Sequence, residues 1–168
     1  MRVAVTGTPG TGKTTATKLL EFEIEVVHLN DLIDSAKLTT GADEARGSLI
    51  ADMDAIEAEL ADEDEVLIES HLAHHLNVDR VAVLRCHPDE LKRRLLERGE
   101  TRQKAEENAE AEALDVILSE AVDRHGLDAV YEIDTTEREP ESIATEIESV
   151  YTGARPPSAG TVDFIEYL

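Results

Sequence analysis

Gly7-Thr8-Pro9-Gly10-Thr11-Gly12-Lys13-Thr14, followed by Thr15, spells G-x-x-x-x-G-K-T, the pattern of a phosphate-binding loop. Its surroundings agree with it. Arg2-Val3-Ala4-Val5-Thr6 is a short β-branched run that reads as a buried strand, and a helix-forming run covers 14–20. Strand, glycine-rich loop and helix is the context the motif requires. Gly7, Gly10 and Gly12 let the backbone turn so that successive N–H groups converge on an anion, and the helix that follows adds its positive end. Lys13 is then placed to reach the β- and γ-phosphates of a nucleoside triphosphate, with the Thr14 hydroxyl on Mg²⁺.

Working outward, the apolar runs alternate with helical ones. Strands are predicted at 24–29, 66–69, 81–84 and 129–134, with helices from Asn30 or Asp31 to 36, over 50–60, 88–98 and 101–125, and from Pro140 onward. Residues 38–47 read as a polar loop. Five apolar strands separated by helices predict a parallel sheet covered on both faces, a three-layer α/β/α P-loop domain with a five-stranded parallel sheet. After Gly153 the composition becomes that of a linker, Gly-Ala-Arg-Pro-Pro-Ser-Ala-Gly, before Phe164-Ile165-Glu166-Tyr167-Leu168. That end reads as an apolar strap on the domain's own surface or as a peptide that a partner recognises.

Composition narrows the field. The 168 residues suit one domain, and no stretch approaches the ~20 apolar residues needed to span a bilayer. The first strand begins at residue 2, leaving no room for a signal peptide, and with Cys86 the single cysteine no disulfide forms within the chain. A cytoplasmic monomer is expected. Net charge is −22, with Asp and Glu numbering 38 against 16 Lys and Arg. Such charge repels itself in dilute buffer but is screened in molar salt, where the Debye length falls to ~3 Å. A salt-adapted protein is the reading, and no strong direct nucleic-acid binding is expected.

Several side chains carry the chemistry. Glu69 ends an apolar strand, where a P-loop enzyme places the carboxylate that orders Mg²⁺; its length suits a contact through water. His71, two residues on, is placed to position or deprotonate a nucleophile near the γ-phosphate. His71-x-x-His74 has the spacing of a metal pair, but no second ligand group stands out and no structural zinc is expected. Arg93, Arg94, Arg98 and Arg102 cluster around Gly99 in a chain poor in cations, which suits a lid that neutralises phosphate charge, with Arg98 nearest the break. Asp31 and the segment after it follow the second strand, where small kinases hold the phosphate acceptor.

The loop 7–15 resembles that of the archaeal and nuclear adenylate kinases, small-subunit ribosome maturation factors of the isoenzyme-six type. Leu29-Asn30-Asp31-Leu32, Glu69-Ser70-His71 and Leu95-Leu96-Glu97-Arg98-Gly99 resemble three further segments of that family. The resemblance spans roughly 1–152 and leaves 153–168 outside it. It implies a broad-specificity nucleoside monophosphate kinase, converting ATP and AMP to two ADP, with accompanying ATPase activity and Mg²⁺ as cofactor. It also implies transient binding to the small-subunit platform ribosomal protein numbered eleven during late 16S rRNA maturation. By position, Gly10, Gly12, Lys13, Thr14 and Thr15 bind the ATP phosphates and Arg98 binds from a lid at 97–107. The monophosphate region is 28–51, and His71 takes the place of the catalytic histidine. Two departures stand out: Glu69 replaces an aspartate, and Ile33-Asp34 stands where the family usually offers an acceptor-gripping arginine. Lys37 or Arg46 is the candidate substitute. The departures weaken the kinase reading more than the ATPase reading; two alternatives stand beside it, an ATP-driven assembly switch and, sharing the P-loop and size, a small-molecule kinase of the shikimate or gluconate type.

Overall fold

The computed structural model describes residues 1–45 and 48–168. Arg46 therefore lies outside the described residues. Strands β1 (Arg2–Thr6), β2 (Glu25–His28), β5 (Val66–Glu69), β6 (Arg80–Arg85) and β7 (Val130–Asp134) form one sheet in the order β2-β5-β1-β6-β7. All four pairings are parallel. The two remaining strands, β3 (Thr39–Asp43) and β4 (Ser48–Ala51), make a separate antiparallel hairpin.

Alternation along the strands assigns each side chain to a face. Ala4, Ile68, Val81 and Val83 point one way, into a core completed by Leu29 and Ile33 of α2 (Leu29–Ala36), Ile56 and Leu60 at α3 (Met53–Glu59), and Leu118 and Ala121 of α6 (Val116–His125). Val3, Val5, Leu67, Ala82 and Leu84 point the other way. They pack on Ala16 of α1 (Lys13–Thr17) and Ile143, Ile147 and Val150 of α7 (Pro140–Thr152). A third cluster, Cys86, Leu91, Leu95 and Ala105, seals α4 (Pro88–Glu97) to α5 (Arg102–Ala113). The parallel sheet with helices on both faces is thus the predicted three-layer architecture.

Three local expectations are corrected. The helix predicted over 101–125 is two, because Asp115 adopts a left-handed conformation (φ 55°) and its carboxylate accepts from buried Arg85 Nη2 at 2.5 Å. The loop predicted over 38–47 contains the β3 half of the hairpin. The helix predicted from residue 50 begins at Met53, because Asp52 caps it by accepting from the Ala55 N–H at 3.1 Å. Ile50 belongs to β4.

The tail is bound to the domain. Ser158 N–H donates to Val130 O at 3.0 Å, and the N–H groups of Thr161 and Val162 donate to Glu132 Oε2 at 2.6 and 3.2 Å. The Phe164 ring meets His87 edge-on, centroids 5.4 Å apart, and lies beneath the Arg85 guanidinium.

Candidate active site

The site forms at the carboxyl ends of β1 and β5, where a parallel sheet leaves its crevice. Gly7 must be glycine: its φ is 145°, and a Cβ there would stand 2.5 Å from the Leu84 carbonyl oxygen. Gly12 precedes α1 at φ 94°, and its Cβ position meets no atom within 4 Å, so its backbone faces open cleft. Between them Lys13 folds back, donating from Nζ to Gly7 O at 2.8 Å and Thr8 O at 3.2 Å. Burial lowers its pKa to about 8, against the raising effect of Glu69 and Glu112. The ammonium is thus held by two backbone carbonyls of the loop.

Thr14 Oγ1 donates to Glu69 Oε1 at 3.3 Å, and the other oxygen of Glu69 receives His28 Nδ1 at 2.8 Å. A hydroxyl and a buried carboxylate so close, with the carboxylate oriented from behind, form a hard-oxygen pair suited to Mg²⁺. The residues present fit that ion.

A cleft of about 630 Å³ opens over the loop, lined by Gly10, Gly12, Lys13, Thr14, Thr15, Glu69, His71, Arg98 and residues on its far wall. Of the four arginines around Gly99, Arg94 and Arg98 line it. Arg93 pairs outward with Glu97 at 2.8 Å, and Arg102 is solvent-exposed. Arg94 also donates to Gly10 O at 3.2 Å, bracing the loop from α4. Arg98 follows α4 directly, exposed at the cleft mouth.

A second cleft of about 660 Å³ adjoins the first. Asn30 and His71 line both. Its other walls come from Ile33 and Asp34 of α2, Leu49, Ile50 and Ala51 of β4, Met53, Leu72, His75 and Arg124. Burial, then the charge of Lys13, drives the His71 pKa down to about 4, so the imidazole between the clefts is neutral at pH 7. Neither Asp31 nor Lys37 lines either cleft. Asp31 is exposed in the first turn of α2, and Lys37, exposed, ends that helix in a left-handed conformation (φ 55°). Asn30, one position earlier, is exposed too, but it lines both clefts and accepts from Ser70 Oγ at 3.0 Å.

The sequence reading missed Asn30, Arg94's bracing role and Arg138. Arg138 lines the first cleft with Pro140 and Ile143, and is held by Asp134 O at 2.9 Å and Glu146 at 2.5 Å. It missed, too, the support behind the loop. Thr8 Oγ1 donates to Glu112 Oε2 at 2.5 Å, while Glu112 Oε1 takes Arg85 Nε at 2.7 Å and the Cys86 N–H at 3.2 Å. Arg85 then reaches Glu132 Oε1 at 2.6 Å, the carboxylate that holds the tail.

This is the fold and loop of a P-loop kinase. A family model described as an AAA domain matches residues 3–115. Among solved structures, shikimate kinase from Bacteroides thetaiotaomicron superposes with a TM-score of 0.54 at 20% identity, covering 92% of this chain and 95% of that one, which speaks for the fold alone. A protein of Natronomonas pharaonis is 63% identical over 168 residues, covering 100% of both chains, and bears the name "Putative adenylate kinase". Proteins of the same name from Halobacterium salinarum (57% over 169 residues, 100% of both chains) and Methanocaldococcus jannaschii (40% over 153 residues, 88% of this chain and 84% of that one) are similar too. The chain belongs to the archaeal adenylate-kinase family that these proteins make up.

Proposed function

We propose that this chain is a nucleoside monophosphate kinase that transfers the γ-phosphoryl group of ATP to AMP, yielding two ADP, with broad acceptor specificity and an accompanying ATPase activity. The observation that carries this reading is the pair of adjoining clefts with Asn30 and His71 in the wall of both. A phosphoryl donor on the loop and a monophosphate in the second cleft would meet there, and in-line transfer needs that juxtaposition more than it needs covalent help. Thr14 and Glu69 would hold Mg²⁺, which would supply positive charge against the negative charge of the phosphates. Lys13 and Arg98 would take up charge as it develops on the transferring group. The acceptor phosphate is already ionised, so neutral His71 needs only to orient it; with water in that place the same imidazole is free to accept a proton.

One observation favours a second reading, the ATP-driven assembly switch. Arg124 is the one cationic side chain lining the second cleft among the described residues, and it donates to Asn77 at 3.1 Å. A cleft so poor in positive charge grips an acceptor phosphate weakly. Hydrolysis would then set affinity for a basic partner, the platform ribosomal protein numbered eleven in late 16S rRNA maturation, drawn to a surface of net charge −22. The same charge, with relatives from halophilic archaea, supports salt adaptation.

The deciding assay incubates the protein with ATP and Mg²⁺ in multimolar KCl, with and without AMP, and separates ADP from free phosphate. ADP formed from AMP without matching phosphate is expected. Phosphate release indifferent to AMP would replace the kinase with the switch. Lys13→Ala should remove both activities by about 10²–10³-fold or more, and retained turnover would remove the P-loop from the mechanism.

A further inference from the structure

The ligand group brought together in the structure is not His71 with His74 but His74 and His75 with a carboxylate from elsewhere in the chain. His74 and His75 stand in a 3-10 turn, Ala73–His75, beyond β5. Glu120 enters from α6, 46 residues after His74. Its Oε2 lies 2.8 Å from His74 Nε2 and 3.7 Å from His75 Nε2. The ligating atoms of the three side chains all lie within 4.8 Å of one another, and the two imidazoles face each other with centroids 4.1 Å apart.

We propose that His74, His75 and Glu120 bind a divalent first-row transition-metal ion of the zinc class, at a site separate from the Mg²⁺ position in the nucleotide cleft. Two imidazole nitrogens and one carboxylate oxygen are the donor set of a three-ligand zinc site that leaves a position for water. Mg²⁺, which takes oxygen ligands in octahedral array, is a poor match. The surroundings support the assignment independently of the spacing. His74 is 1% exposed, and its second nitrogen, Nδ1, lies 2.9 Å from Thr6 Oγ1, the outer hydrogen bond that orients a ligating histidine. A threonine hydroxyl either donates or accepts. When Nε2 turns to a metal, the ring proton moves to Nδ1 and Thr6 accepts it. His125 Nε2, 2.7 Å from His74 O, ties the turn to α6, so all three ligands stand on elements already joined. His75 and Glu120 keep 39% and 46% of their side chains exposed, which gives the ion a way in. His75 also lines the second cleft, so an ion there would stiffen one of its walls.

The test is equilibrium dialysis of the full chain against Zn²⁺ in molar potassium salt, with Mg²⁺ in large excess to saturate oxygen sites, followed by elemental analysis. One zinc per chain is expected. Glu120→Gln and His75→Ala, both at partly exposed positions, should each lose it while circular dichroism stays unchanged. Thr6→Val should keep the stoichiometry but weaken affinity by about 10–100-fold, the usual effect of losing an outer-shell partner. Co²⁺ in place of zinc should give the intense visible bands of a four-coordinate ion. Substoichiometric zinc in the unaltered protein, uptake unchanged in the His75→Ala/Glu120→Gln double variant, or the weak spectrum of six-coordinate cobalt would each overturn the site.

Discussion

The two clefts meet at Asn30 and His71 but are built on different terms. The donor cleft is made of backbone: glycines in conformations other residues avoid, a buried lysine bonded to carbonyls, and a buried Arg85–Glu112–Glu132 chain behind them. The acceptor cleft is made of side chains lent by α2, the β3–β4 hairpin, the 71–75 segment and α6, with Leu49 and Ile50 exposed at its rim. A triphosphate has one geometry that every donor shares, so its binding rewards a fixed cradle. Under the proposed function acceptors differ in their bases, and a wall of apolar side chains on a separate hairpin would accommodate them at little cost in backbone strain.

The sharpest way to break this contrast is to remove the support beneath the rigid half. Glu112 is 3% exposed and accepts from Arg85, Cys86 and Thr8 at once. Glu112→Ala leaves a buried guanidinium short of a partner and frees the Thr8 hydroxyl. A loss of about 3–5 kcal/mol is expected, read as a fall in the urea midpoint at constant salt. Glu112→Gln, which retains an acceptor oxygen, should lose less. An unchanged midpoint in the alanine variant would mean that the loop is held by its glycines alone.

A smaller effect sharpens the same distinction through pH. Burial holds the free Lys13 near pKa 8, below the ordinary lysine value of 10.5. Bound phosphates favour the ammonium, so ATP raises that pKa. The charged form needed for binding is present below pH 8 in the free protein and is lost as pH rises through it. ATP affinity should therefore fall by about tenfold per pH unit above 8, with proton uptake on binding. Titration calorimetry in two buffers of different ionisation enthalpy measures both. Acceptor affinity, resting on no such lysine, should show no break at that pH, and a shared break would mean that one charge serves both clefts.

What could be read from the residues follows the same division. The loop, the strand that feeds it and the five-stranded sheet are encoded by contiguous patterns, so motif and periodicity disclose them. The acceptor wall is not contiguous. Asn30 and Asp31 both follow the second strand and both are exposed; only the helix's phase, set by the burial of Leu29 and Ile33, brings Asn30 to the cleft walls and leaves Asp31 off them. Residues 101–125 contain no helix breaker; the break at Asp115 answers to Arg85, 30 positions away. Ile50 and Met53 have helical spacing, yet Ile50 pairs across a hairpin with Gly41, because Asp52 caps a helix that starts after it. Arg138 lies far in sequence from the arginines around Gly99, and reaches the nucleotide cleft through the loop after β7. The break at Asp115 is the case in which a long-range contact overrides a local preference.

The smallest expected effect tests the hairpin itself. Leu49 is 65% exposed and Ile50 48%, both on β4 at the rim of the second cleft. Side chains so exposed contribute little to folding, so replacing both with serine should leave stability within about 0.5 kcal/mol. If they close on the acceptor's base, the double variant loses the burial gained on binding. About 1 kcal/mol of apolar contact corresponds to roughly a fivefold rise in the KM for AMP. The KM for ATP and the hydrolysis rate without acceptor should not move, because none of the described β4 residues lines the donor cleft. A fall in melting temperature would make the pair structural. A matching change in the KM for ATP would mean that the hairpin and the phosphate loop act as one body, and the division between a rigid donor half and an adaptable acceptor half would not hold.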